Sequence, residues 1–328
     1  MNRRALGRTG LHVSELGFGC GMVGGLLVRG EYPAMRRAVA RAVELGINYF
    51  DTAPLYGDGQ SEVNLGAILR ELRPDVVVGT KVRLAARDTA HIETAIAESM
   101  EASLRRLGRD AVDLFQLHNP ITSRRRADFA SLTPDDLPGV IRAFETLHRQ
   151  GKTRFWGITA LGDTEALHRA VDMGGFHTLQ TVYNVLNPSG GRRVPSSYPY
   201  QDYRQLIDRA FAKGIGVIAI RVLAGGALSG TTDRHPIAMQ GVTPLATGRD
   251  YAEDAARARL VDFLVADGTA GSLAEAAVRF AISKPEISTA MVGASSLEQL
   301  EQAVEAVRRG PLHPEALERV HAALQRPI

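Results

Sequence analysis

Four side chains with complementary chemistry follow short apolar runs in the first 118 residues: Asp51, Tyr56, Lys81 and His118. A phenol titrates near 10 and is a weak acid at neutral pH unless something favours the phenolate. An ammonium such as Lys81 would do so by charge attraction, and a carboxylate such as Asp51 would keep that lysine charged and oriented. An imidazole at His118 can donate a hydrogen bond to a carbonyl oxygen and hold it in place. Together they form a general acid aimed at a carbonyl oxygen, which suits hydride transfer to a carbonyl or its reverse. None of the four carries a hydride, so a cofactor must supply it. Taken singly, each residue also has an ordinary reading: Asp51 as a helix cap, Lys81 as a surface charge, His118 as a satisfied buried histidine, Tyr56 as packing. Their arrival at the ends of consecutive strands favours the joint reading. No HExxH or carboxylate-rich metal motif is present, and the chemistry needs no metal.

The elements that must position them alternate along the chain. Eight short apolar runs read as buried strands: Glu15–Gly19, Asn48–Asp51, Val76–Lys81, Val112–His118, Arg154–Thr159, Thr178–Tyr183, Val217–Val222 and Ser288–Gly293. Helical spacing separates them, over Pro33–Leu45, Ser61–Leu72, Asp88–Leu107, Pro134–Arg149, Thr164–Asp172, Asp202–Ala212, Tyr251–Ala266, Ala276–Ile282, Leu300–Val307 and Glu315–Gln325. Ser272 with Glu275, and Ser296 with Gln299, have the form of capping boxes. Strand followed by helix eight times predicts an α/β fold, a (β/α)8 TIM barrel, with residues 1–328 as one domain. In such a barrel the C-terminal strand ends carry the chemistry, and Asp51, Lys81 and His118 fall there. Two long irregular stretches, Asn187–Tyr200 and Gly230–Asp250, read as functional loops at that rim.

Composition narrows the function classes. The 328 residues are 45% hydrophobic and 23% charged, enough for a large core. The single cysteine, Cys20, excludes an intrachain disulfide and a cysteine-built zinc site. No run of apolar residues is long enough to span a membrane, and the N-terminus lacks a secretory signal, so a cytoplasmic protein is expected. The formal charge of +3 is weak, and Arg124-Arg125-Arg126 reads as a solvated loop, so no nucleic-acid partner is expected. Gly19-Cys20-Gly21-Met22-Val23-Gly24 fits a dinucleotide fingerprint, but that motif must open a helix, and no helix is expected before Pro33. Gly225–Gly230 has phosphate-loop spacing but is followed by Thr231 in place of lysine.

The sequence resembles the aldo-keto reductases along nearly its whole length. The resemblance rests on Leu6-Gly7-Arg8-Thr9-Gly10, Asn48-Tyr49-Phe50-Asp51-Thr52-Ala53 with Tyr56-Gly57, Thr80-Lys81, Leu117-His118, Gln180-Thr181-Val182-Tyr183-Asn184, Leu223-Ala224-Gly225-Gly226 and Val292-Gly293-Ala294-Ser295. It implies a short N-terminal β-hairpin plugging the barrel bottom. It also implies Tyr56 as proton donor, Lys81 and Asp51 as its helpers, and His118 as the group orienting the carbonyl. An extended nicotinamide dinucleotide is implied, NADP(H) before NAD(H). Its expected contacts are Cys20, Gly21, Asp51, Thr159, Gln180, Arg221, Leu223, Gly225, Ser229, Gly293, Ser295 and Gln299. Three positions depart from the family pattern. Thr159-Ala160 replaces Ser-Asn. Ile220-Arg221-Val222 offers no aromatic ring to the nicotinamide, and Arg221 is expected to meet a phosphate. Gln299 stands where an arginine often reads the 2′-phosphate, which leaves NAD(H) open. The expected activity is reduction of small aldehydes or ketones. The alternatives are oxidation of a sugar hydroxyl and a cofactor-sensing binding protein with vestigial chemistry. The expected partner is thus a small-molecule carbonyl or sugar substrate.

Overall fold

A computed structural model describes residues 1–324. Its centre is a closed barrel of eight parallel strands: β3 (Leu16–Gly19), β4 (Tyr49–Asp51), β5 (Val77–Val82), β6 (Val112–Leu117), β7 (Thr153–Thr159), β8 (Thr178–Val182), β9 (Gly216–Ile220) and β10 (Ile287–Val292). Each strand pairs with the next in sequence, and β10 closes on β3. The eight expected strands and the barrel are therefore present. Around it lie α1 (Leu26–Arg29), α2 (Tyr32–Glu44), α3 (Gln60–Leu72), α4 (Ile92–Leu107), α5 (Leu137–Arg149), α6 (Thr164–Met173), α7 (Leu206–Ala212), α8 (Tyr251–Ala258), α9 (Phe263–Ala266), α10 (Leu273–Ile282), α11 (Leu297–Arg308) and α12 (Pro314–Leu324). The expected end of the last helix, Gln325, lies outside the described residues. None of the described helices is long and apolar enough to cross a membrane.

Ahead of the barrel, β1 (Arg3–Ala5) and β2 (His12–Ser14) form the antiparallel hairpin. It plugs one end. Leu6, Leu11 and Val13 share an inner cluster with Tyr49, Val77, Leu114, Ile218 and Met291 from the strands. The turn that lets the plug seat depends on Gly7. Its φ is +53°, and a Cβ there would stand 2.2 Å from the Gly216 backbone nitrogen. The guanidinium of Arg4 ties the hairpin to the far end of the chain, donating to the carbonyls of Ile282 at 2.8 Å and Ile287 at 2.9 Å.

Strand alternation sends Phe115 and Trp156 outward to α5, where Phe115 lies 5.4 Å from Phe144 between ring centres. The indole of Trp156 donates to the Gly175 carbonyl at 2.6 Å, so it packs outside the barrel. Several boundaries differ from expectation for local reasons. The stretch after Gly24 is not purely a loop, because α1 begins right after Gly25, whose φ is +83°. It holds four residues only, so the fingerprint still opens no dinucleotide-binding helix. The helix expected from Asp202 starts at Leu206, because Arg204 and Gln205 take the left-handed conformation. The one expected over Tyr251–Ala266 is broken by a 3-10 turn at Arg259–Val261. Both serine caps are present, Ser272 accepting from Glu275 N and Ser296 from Gln299 N. The partner side chains reach one residue further back than a capping box requires, Glu275 to Gly271 N and Gln299 to Ser295 N.

The two long irregular stretches go different ways. Asn187–Tyr200 runs toward the outer helices: Arg192 pairs with Glu318 on α12 at 3.1 Å, and Tyr200 donates to Glu253 on α8 at 2.7 Å. Gly230–Asp250 instead meets the glycine-rich turn after β3. Arg29 donates to the carbonyls of Ile237 at 2.7 Å and Met22 at 2.6 Å, and Met239 N donates to the Val23 carbonyl at 3.1 Å.

Candidate active site

The C-terminal ends of β4, β5 and β6 are consecutive in the barrel, and the turn after β4 carries Tyr56. This brings together the four residues expected from sequence. Lys81 is 1% exposed, and its Nζ donates to Asp51 Oδ2, to the Thr52 carbonyl at 2.8 Å and to the Tyr56 hydroxyl at 3.3 Å. The ammonium also sits 4.9 Å from the centre of the Tyr56 ring. The imidazole of His118 stands edge-on to that ring, with 6.1 Å between ring centres and an interplanar angle of 89°.

Asp51 is held on its other side by residues from two strands. Tyr49 donates its hydroxyl to Oδ1 at 3.0 Å, and Gln180 donates its amide to the same oxygen at 2.7 Å. Tyr49 escaped the sequence reading, although alternation along β4 puts it on the inward face with Asp51. Behind the lysine, Glu62 is fully buried and accepts from Thr80 Oγ1 at 2.5 Å and from Arg106 at 2.6 Å. The half-buried Arg106 thus reaches, through Glu62, the residue next to Lys81 on β5.

Burial and charge set the protonation states. Burial raises the Tyr56 phenol above its ordinary value and outweighs the opposing pull of Lys81, so the phenol keeps its proton. Lys81 is a contest between burial, which disfavours the ammonium, and the Asp51 charge with the hydrogen bonds to Asp51 and Tyr56, which prevail and raise it. Burial, with the nearby cations Lys81 and Arg83, pushes His118 down to about 3, leaving a neutral imidazole at the site. Its Nδ1 is buried with no hydrogen-bond partner among the described residues. The arrangement can thus present a phenolic proton and a neutral imidazole to one oxygen, with a cation ready to stabilise the phenolate.

The residues expected to hold a dinucleotide lie on the same rim, in two groups. Gly21 lies beside Tyr56, where a Cβ would make ordinary contact with the phenol ring at 3.5 Å, and Cys20 is buried next to it with its thiol pushed up by burial. Thr159 donates to Gln180 Oε1 at 3.4 Å, so the Gln180 amide is engaged at both ends. Across the rim, Leu223 leads into a 3-10 turn, Ala224–Ser229, opened by Gly225 at φ +70° and Gly226 at φ +109°. Ser229 turns its hydroxyl to the Thr231 carbonyl at 3.0 Å. At the start of α11, Ser295 Oγ donates to the Gly24 carbonyl at 2.6 Å and its N–H donates to Gln299 Oε1 at 2.8 Å. Gly293 closes against Gly19 and Gly24 there. The glycines on both sides let segments pack closely, a Cβ at Gly24 meeting the Ala294 backbone at 2.7 Å and one at Gly225 meeting Val242 at 2.6 Å. The two turns and the buried, unpartnered Nδ1 of His118 share one rim, which fits an extended dinucleotide. Arg221 (φ +58°) lies against the Ala224–Ser229 turn: its Nη1 is 3.0 Å from where a Gly225 Cβ would be.

A model of the aldo/keto reductase family matches residues 15–325. The chain belongs to the aldo/keto reductase family. Its members are oxidoreductases, usually NADP(H)-dependent. The chain is 30% identical to L-galactose dehydrogenase of Arabidopsis thaliana, over 93% of this chain and 87% of that one. It is 28% identical to a putative voltage-gated potassium channel subunit beta of Schizosaccharomyces pombe, over 98% and 92% of the two chains. Among solved structures, the holo form of aldo-keto reductase AKR11C1 from Bacillus halodurans superposes with a TM-score of 0.73 at 28% identity, covering 98% of this chain and 96% of that one.

Proposed function

We propose that this aldo/keto reductase converts small aldehydes or ketones to alcohols, with Tyr56 as the proton donor. The observation that carries the reading is the position of Lys81, held by Asp51 and the Thr52 carbonyl and 3.3 Å from the Tyr56 hydroxyl. A reduced nicotinamide dinucleotide, NADP(H) before NAD(H), supplies the hydride when bound. Gly21, Thr159, Gln180, the Leu223–Ser229 turn with Gly225, and Gly293, Ser295 and Gln299 would hold it. His118 donates a hydrogen bond to the carbonyl oxygen and fixes its direction. Tyr56 passes its phenolic proton to that oxygen as negative charge develops, and Lys81 stabilises the phenolate left behind. Asp51 keeps Lys81 charged and aimed.

The test is Tyr56→Phe. NADPH oxidation with a panel of short aldehydes should fall at least a thousandfold, while NADPH still binds in a fluorescence titration. Retained turnover would remove Tyr56 from the role. The same four residues serve the reverse reaction, and the likeness to L-galactose dehydrogenase supports sugar oxidation as the second reading. Faster turnover of sugars with NAD+ than of aldehydes with NADPH would decide for it. Cofactor binding with no turnover of either class would instead support a binding protein, the reading that the channel-subunit relative keeps open.

A further inference from the structure

Two arginines follow strand ends at the rim of the candidate active site without an acidic partner. Arg83 follows β5, two residues beyond Lys81 and on the same side of the strand. Arg221 follows β9. In the closed order β10-β3-β4-β5-β6-β7-β8-β9, strands β5 and β9 are four steps apart in either direction, so the two arginines rise from opposite sides of the mouth. Both are partly buried. Among the described residues neither guanidinium has a carboxylate within ion-pair distance. Arg83 spends one N–H on the Phe129 carbonyl at 2.8 Å, and only the backbone carbonyl of Arg221 is engaged, by Asn184 at 2.8 Å. The register that pairs Val82 with Leu117 sets Arg83 beside His118, and Arg221 lies at the turn across the mouth. Of the other charges nearby, Arg234 gives its N–H groups to the Met239 carbonyl at 2.6 Å and the Gly225 carbonyl at 2.9 Å, and the remainder are matched. Lys81 pairs with Asp51, and Asp254, the acid nearest Arg221 in its electrostatic surroundings, is bound by Thr247 at 2.5 Å and Gly248 N at 2.6 Å.

We infer that Arg83 and Arg221 form an anion clamp that selects carbonyl substrates carrying a carboxylate or phosphate. The inference rests on the carbonyl-reductase reading and names its substrate class. A neutral substrate would leave two partly desolvated cations unpaired, whereas an acidic one meets a guanidinium fork suited to planar oxyanions. Arg83 argues against the cofactor as the anion's source. It rises from the side of the barrel opposite β9, which leads into the Leu223–Ser229 turn, and lies beside His118. Arg221, nearer that turn, carries the sharper question, and the experiment separates the two sources.

The experiment compares 4-oxobutanoate with butanal, equal in chain length and different in charge, using wild-type protein, Arg83→Gln and Arg221→Gln, alongside NADPH fluorescence titrations of all three. The wild type should favour 4-oxobutanoate at least tenfold in kcat/KM. Each variant should erase at least tenfold of that preference through KM for the anionic aldehyde, with the NADPH Kd moving less than threefold. Equal use of the two aldehydes by the wild type overturns the clamp. So does a variant that weakens NADPH binding by the factor it lowers both turnovers, which would assign that arginine to a cofactor phosphate. If the wild type reduces neither aldehyde, the reductase reading fails on its own, and succinate titrated by calorimetry judges the clamp. Binding lost in Arg83→Gln upholds it, and no binding to the wild type overturns it.

Discussion

Gln180 on β8 donates its amide to Asp51 Oδ1 at 2.7 Å, while the other carboxylate oxygen holds Lys81. A side chain from across the barrel therefore sets the direction of the carboxylate that steers the lysine, and through it the phenol. Gln180→Leu leaves Oδ1 with Tyr49 as its donor and should destabilise the protein by about 1–3 kcal/mol, the cost of a buried polar group losing a partner. Gln180→Glu sets a second carboxylate against Asp51. One of the two must then stay protonated, so this variant should lose stability as pH rises through neutrality, unlike the wild type. Urea titrations at pH 5.5 and 8 would check both, and a Gln180→Glu midpoint that follows the wild type would refute the coupling.

A second consequence concerns acid. His118 titrates near 3 in the fold and near 6.5 unfolded, so the unfolded chain binds more protons between those values. Its contribution to stability is complete above about pH 6.5 and is lost as pH falls toward 3, at no more than about 1.4 kcal/mol per pH unit. His177 and His321, pushed by burial to about 4, act in the same direction. Urea midpoints should fall steeply between pH 6.5 and 4.5, and His118→Gln should flatten part of that slope. An unchanged slope would mean that the imidazole is hydrated in solution.

Gly7 offers a test far from the chemistry. An added methyl group would strike the Gly216 backbone at 2.2 Å on a residue already at φ +53°. Gly7→Ala should destabilise the protein by about 1–3 kcal/mol, from overpacking plus backbone strain, while KM for any substrate stays put. A thermal midpoint within a degree of the wild type would show that the hairpin seats elsewhere.

Arg29 links the glycine-rich turn after β3 to the Gly230–Asp250 stretch through the carbonyls of Met22 and Ile237. The turn proposed to hold the dinucleotide lies beside this clasp. Arg29→Met should let the strap part, and the NADPH association and dissociation rates, followed by stopped-flow fluorescence, should both rise at least fivefold. Rates equal to the wild type would show that the strap does not gate that turn.

The barrel was legible because strands covered on both faces read as continuous apolar runs, and Val77–Val82 and Val112–Leu117 do so plainly. The four residues at the mouth were legible because strand ends carry the chemistry in such a barrel. What stayed hidden depended on contacts between distant segments. Only the closed fold sets Gln180 against Asp51, 129 residues apart. Arg83 reads in sequence as one more arginine after a strand, and becomes notable when the fold leaves it without an acid. The short helix α1 was missed because it is held from outside, by the Ile237 carbonyl that accepts from Arg29 and by the Ala294 carbonyl that accepts from Leu26, and local propensity carries no sign of either. The phenol of Tyr56 is raised where the adjacent lysine alone would lower it, because burial is a property of the whole barrel.

The hairpin also imposes a chronology on the chain. Arg3–Ala5 leaves the ribosome before the strand it completes, yet Arg4 waits for the carbonyls of Ile282 and Ile287, and Ala5 accepts from Ser288 at 2.9 Å. β1 can pair with β2 at once, but its contacts with β10 wait until Ile287 and Ser288 have been made. Until then Leu6, Leu11 and Val13 stay unsheltered, and a nascent chain in that state is open to aggregation and to chaperones. The seal at the base of the barrel closes only once β10 is made, 283 residues after the arginine that waits for it.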